Sequence, residues 1–291
     1  MIQTAIRDCT RKLHQGYHQL YGRLQPENAE LLSWATQMTL ESIAQSDAAY
    51  HDVEHTVLVT LTGQEILRGK QQSAGGVTPQ DWLHCILSLL CHDIGYIKGL
   101  CADDRPQHHR YTTGIAGQFI HLAPDATDAS LTPYHVDRGK QFVREQFTGH
   151  PRLDVAQLQH NIELTRFPVP KGDLHTQTGT YPGLIRAADL LGQLADPRYL
   201  QKLPKLFQEF DENGTNRVLG YTRSADLRAG FPQFYWTVVH PYVQEGLTFL
   251  KKTQTGKQIV ANLYANISIV EYEQFQRQQP RGSQQPLVAV V

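Results

Sequence analysis

Residues 79–92, PQDWLHCILSLLCH, are apolar on nearly every face of a helix, and the run ends on an adjacent His and Asp. A helix without a polar face cannot lie on a surface, so this pattern predicts a central buried helix with neighbours on all sides. Thr78, Pro79 and Asp81 supply its start as N-cap, first-turn proline and capping box. Its end is the costly part. A carboxylate taken out of water is strongly unfavourable unless it is paired or bound to a cation. The bland alternative makes Asp93 a cap of the next turn and His92 a satisfied core histidine. The exception recurs, however, because Asp189 also sits inside an apolar helix, LIRAADLL (184–191), where the bland partner is Arg186. The chain holds 14 His against 4 Cys and 2 Met. Shared cations would neutralise both carboxylates together, and imidazole with carboxylate suits Zn, Fe, Mn, Ni or Mg without selecting among them.

A second histidine signal is Tyr50-His51-Asp52-Val53-Glu54-His55. His51 and His55 project from one face of a helix. Alone, such a pair is more often a solvated face than a site. It also lacks the Glu that follows the first His in zinc-protease helices, Asp52 standing there instead.

The rest of the chain reads as helices joined by loops. Helical spacing marks 29–46, 54–69, 133–147, 153–165 and 183–195, and aromatic-rich helices follow at 231–251 and 256–275. The polar stretch 98–131 is expected to be helical at 112–121, and 166–180 is a loop with two prolines. The fold class is therefore all-α. No repeat or linker divides the chain, which reads as a single domain over 1–291. Its core covers about 30–200, a helical extension about 201–275, and a mobile tail 276–291. Phe231, Phe234, Tyr235 and Trp236 in the extension are core by default, with a lid or a homodimer face as the alternative.

Composition excludes several partners. Lys and Arg total 27 against 28 Asp and Glu, a net charge of -1, so no basic excess exists to meet a nucleic acid duplex or an anionic membrane surface. No window approaches 18 uninterrupted apolar residues, and the N-terminus has no signal-peptide apolar region. Cys9, Cys85, Cys91 and Cys101 form no C-x-x-C pair and read as reduced thiols. A cytoplasmic protein is the expectation.

The ordered set His51/His55, His92-Asp93 and Asp189 resembles the ligand set His…His-Asp…Asp of the HD-domain metal-dependent phosphohydrolase superfamily, over about residues 30–200. That resemblance implies an HD-domain helical bundle with His55, His92, Asp93 and Asp189 as ligands and Asp93 bridging two metals. Tyr50-His51-Asp52 is similar to the Tyr-His-Asn of cyclic-nucleotide phosphodiesterases, which makes His51 the candidate general acid. His135-Val136-Asp137-Arg138-Gly139 and His160 resemble positions that carry extra histidine ligands in the HD-GYP-like subgroup, although Asn161 replaces the second His and the Gly-Tyr-Pro signature is absent. By their residues alone, His135 and His160 are as readily helix-end surface groups. Lys98, Arg138 and Arg186 are candidates to meet a phosphoryl group.

The resemblance thus implies a phosphohydrolase that binds one or two divalent metals and a small phosphorylated substrate. A metal-activated water would attack phosphorus while His51 protonates the leaving oxygen. Two rivals use the same ligands. One is a di-iron oxygenase employing His55, His92, Asp93, His135, His160 and Asp189. The other is a non-catalytic module that binds a metal or nucleotide.

Overall fold

The structure is a computed structural model in which residues 2–278 are described. Its helices are α1 (Ile2–Tyr21), α2 (Pro26–Ile43), α3 (Val53–Ser73), α4 (Pro79–Cys91), α5 (His135–Phe147), α6 (Val155–Glu163), α7 (Asp173–Thr176), α8 (Tyr181–Leu194), α9 (Tyr199–Glu212), α10 (Thr215–Leu219), α11 (Ser224–Phe234), α12 (His240–Leu250) and α13 (Gln254–Gln278). Between α4 and α5 lie a 3-10 turn, Ile94–Tyr96, and a short hairpin of β1 (Arg110–Thr112) and β2 (Phe119–His121). The protein is an all-α bundle, as its apolar periodicity predicts.

Helix α4 occupies the centre. Thr78 caps it by accepting from the Asp81 N–H at 3.1 Å, and Asp81 Oδ2 accepts from the Thr78 N–H at 2.9 Å. Trp82, Leu83, Ile86, Leu87 and Leu90 are sealed from solvent. Each such side chain contributes about 1.5–3 kcal/mol relative to exposure. Around α4 stand α2, α3, α6 and α8. Helix α8 also packs closely on α3: a Cβ on Gly192 would lie 2.6 Å from the Val59 Cα, so only glycine lets the two backbones meet there. Helix α1 buries Ile6, Cys9, Leu13, Gly16 and Tyr17 along one stripe against α2 and α3.

Residues 112–121 form the hairpin, with Arg110 opposite His121 and Thr112 opposite Phe119. Gly114 and Gly117, at φ 85° and 75°, turn the chain where a helix would need negative φ. The helix expected over 231–251 is α11 and α12 joined by a π-helical turn, Tyr235–Val239, next to Pro241, which has no N–H to continue the ladder. Of the expected mobile tail, Gln276–Gln278 continue α13 and the remainder lies outside the described residues. The four cysteines are free and buried, and no described helix is long and apolar enough to cross a membrane.

Candidate metal centre

Asp52 begins the site. It is the N-cap of α3, its Oδ1 accepting from the His55 N–H at 3.0 Å, so the carboxylate that departs from the Tyr-His-Asn pattern here starts a helix. The cap places His51 just outside the helix and His55 in its first turn. Helix α4 ends at Cys91, which delivers His92 and Asp93 where the buried helix stops. The His92 Nδ1–H donates to the Leu89 carbonyl at 2.7 Å, leaving the Nε2 lone pair to face inward. His135, at the start of α5, is held the same way by the Thr132 carbonyl at 2.6 Å.

These rings converge on two carboxylates. His55 Nε2 and His92 Nε2 each lie 3.0 Å from Asp93 Oδ2. Asp189 Oδ1, from α8, lies 3.4 Å from His92 Nε2 and 3.8 Å from His55 Nε2. His135 Nε2 is 3.7 Å from Asp93 Oδ1. His51, His55 and Asp93 form one triad of ligand atoms within 4.8 Å of one another, and His55, His92 and Asp189 form another. His55 Nε2, His92 Nε2 and Asp93 Oδ2 are buried, and despite their proximity none has a hydrogen-bond partner among the described residues. Lone pairs of imidazole and carboxylate aimed at one point are the donor set of a divalent cation, so the residues fit a metal ion.

Two groups that the sequence did not signal complete the site. Glu209, on α9, accepts from the Tyr50 and His51 N–H groups at 2.7 and 3.2 Å through Oε1, and its Oε2 lies 2.5 Å from His51 Nδ1. Tyr96 stacks between His51 and His135, with ring centroids 4.6 and 4.5 Å apart. Gly95 allows that stack, since a Cβ there would strike the His135 carbonyl oxygen at 1.9 Å.

The electrostatics sort the histidines. Burial opposes a charge on His51, but Glu209 overcomes it and raises the pKa to about 9. Without a cation, burial likewise opposes a charge on His92, yet Asp93 and Asp189 hold its pKa well above the usual value, and a bound ion would displace that proton from Nε2. For His135 burial prevails and lowers the pKa, leaving a neutral ring. Burial would raise the pKa of Asp93, but His92 and His55 keep it well below the carboxylate range.

Four expected site residues are not brought to the cluster. His160 is exposed in a surface cleft with Lys140, Arg144 and Glu163. It lies about 200° around α6 from the buried Leu158, so it faces outward while Asn161 turns in to donate to Ser88. Arg138 is sealed inside the fold: Nε donates to the Gly95 carbonyl, Nη1 to Asp104 Oδ1 and the Thr112 carbonyl, and Nη2 to the Ile97 carbonyl and Asp104 Oδ2. All five of its N–H donors are used, so none is left for a phosphate. Lys98 donates to the Ala126 carbonyl at 2.7 Å and pairs with Asp47 and Asp128, fastening loops together. Arg186 is buried against His175 and Tyr242.

An all-α bundle with a buried His/Asp cluster that could hold a divalent cation is the class that fold and site define. The chain belongs to the Npun_R2479-like family, whose profile matches residues 1–273. No curated protein matches the sequence. Among solved structures, the chain is similar to the phosphodiesterase domain of the RhoPDE fusion protein from the choanoflagellate Salpingoeca rosetta. That similarity has a TM-score of 0.54 and 16% identity, covering 94% of this chain and 93% of that one. At such identity the likeness shows the fold.

Proposed function

We propose that this protein is an HD-type, metal-dependent phosphohydrolase acting on a small phosphoester. The observation that carries this reading is the inward aim of His55 Nε2, His92 Nε2 and Asp93 Oδ2, three buried and unpartnered ligand atoms, with Asp189 beside them. His55, His92, Asp93 and Asp189 would hold one or two divalent ions, with His135 at the flank. Zn, Fe, Mn, Ni and Mg all suit these ligands. When bound, such an ion supplies Lewis-acid charge and a water acidic enough to ionise near neutral pH.

The chain's own groups do the rest. Asp93 and Asp189 bring the negative charge that holds the cation in place. His51, kept protonated by Glu209, carries a proton on the ring nitrogen opposite Nδ1 and donates it to the leaving alkoxide. Tyr96 holds that ring in plane by stacking. A solely structural metal site has no use for a charged histidine beside it, so the His51–Glu209 pair favours catalysis over the non-catalytic module. The oxygenase alternative invoked His160, which faces solvent instead.

The likeness to a phosphodiesterase domain supports a phosphodiester as the first substrate to try. The test is a panel of phosphodiesters and phosphomonoesters assayed before and after chelation, with each divalent metal added back. Hydrolysis lost on chelation and restored by metal is expected. Oxygen consumption without hydrolysis would instead support the oxygenase.

A further inference from the structure

Arg186 sits one helical turn before Asp189 on α8 and is 1% exposed. Its Nη1 donates to the His175 carbonyl at 2.9 Å, and its Cζ lies 4.5 Å from the Tyr242 ring centroid. Nε and Nη2 have no hydrogen-bond partner, and among the described residues no carboxylate pairs with the group. Arg138 provides the internal control. Equally buried, it has all five donors met and a two-pronged pair with Asp104. This fold therefore satisfies a guanidinium that is present only for structure, and an unpaired one is strongly destabilising.

The unmet atoms form a unit. Nε and Nη2 are the side-on fork of a guanidinium, the edge that grips carboxylate or phosphoryl oxygens in parallel. The 166–180 segment meets the same guanidinium through the His175 carbonyl, and its exposed residues 171–174 and 176–177 bracket one inward side chain, His175. His175 is 7% exposed, and its Nδ1 also lacks a partner. Arg166 lies nearby but is paired with Glu163 and Asp137, and Glu163 is engaged by Lys140 as well, so neither answers the unmet donors.

We propose that Arg186 and His175 form an oxyanion-binding site, taking a phosphoryl or carboxylate group of a small molecule beneath the 166–180 segment. Arg186 makes none of the contacts that join the His/Asp cluster, and the site's existence does not depend on what that cluster does.

The test titrates the metal-stripped full chain with inorganic phosphate, following the thermal midpoint and amide hydrogen exchange. Saturable stabilisation is expected, with slowed exchange confined to the 166–180 segment. Arg186→Met keeps the side chain's stem and removes the unpaired charge. It should weaken phosphate binding by at least about tenfold without lowering the phosphate-free midpoint. His175→Ala, on the segment itself, should also weaken binding, and it carries the test if Arg186→Met does not fold. His92→Ala should bind phosphate like the wild type, which separates this site from the metal centre. Absence of a saturable phosphate effect on the wild type overturns the proposal, as does unchanged affinity in Arg186→Met. Kinetics of the metal-loaded protein identify the source of the oxyanion, and this arm alone rests on the hydrolase reading. A raised KM with unchanged kcat in Arg186→Met assigns the group to the substrate. Unchanged constants assign it to a separate ligand.

Discussion

A buried imidazole beside other histidines would ordinarily shed its proton, because burial disfavours the charged form. His51 keeps it because Glu209 Oε2 lies 2.5 Å from Nδ1, and its pKa rises to about 9. A group raised in this way donates its proton at neutral pH and loses that capacity as pH climbs through about 9. Hydrolysis should therefore fall along an alkaline limb near that value. Glu209→Gln should lower turnover about 10²-fold and move the limb toward the ordinary histidine value, with bound metal unchanged. A pH–rate profile with the limb unmoved would remove Glu209 from its role. His92, Asp93 and Asp189 were legible in the sequence because ionisable groups interrupt apolar helices. Glu209 was not. It lies among Asp211 and Glu212 on a helix whose pattern looks solvated, 158 positions from the His51 it holds. The role of Arg138 is hidden in the sequence for the complementary reason. Sequence shows a cation near a site but not the carbonyls that will consume its donors.

Elements position these residues through their ends and closest approaches. The first turn of α3 carries His55 and begins at Asp52, so the cap and the site share one junction. Asp52→Ala should destabilise the protein by about 1 kcal/mol, measured by urea unfolding, and reduce activity as His51 and His55 lose their fixed spacing. Asp52→Asn, which still caps, should restore most of both. Equal loss in the two variants would show that the charge, not the cap, matters. Helix α4 and its capping box were readable because local residues alone determine them. The hairpin at 110–121 was not: each strand has three residues, too short for alternation to register, and its glycines declare themselves only by backbone angle. His160 shows the limit of spacing arguments, since two positions along α6 separate a core residue from a solvent-facing one.

At the scale of the molecule, α3, α4, α5, α8 and α9 each deliver a side chain to one centre, so the site exists only when the whole bundle has closed. The resemblance placed the working part within about 30–200, yet Glu209 reaches in from the following helix. Other cross-links tie the elements that surround the centre. Glu163 on α6 joins Lys140 of α5 and Arg166, and despite the opposing effect of burial these partners lower its pKa to about 2. A carboxylate depressed in this way contributes stability above its unfolded value, near 4.5. That contribution is lost as pH falls from there through about 2. Glu163→Gln should lower the thermal midpoint at pH 7 and flatten its decline over that acid range. An unchanged acid limb would show that other carboxylates govern it.

In the function proposed above, His55, His92, Asp93 and Asp189 hold a catalytic divalent ion. The most direct measurement is metal content by elemental analysis, paired with phosphoester turnover, for the wild type and for Asp93→Ala. Bound metal and hydrolysis lost together in Asp93→Ala, with the helical fold retained by circular dichroism, is the expected result. Undiminished hydrolysis by a metal-free Asp93→Ala protein would contradict it.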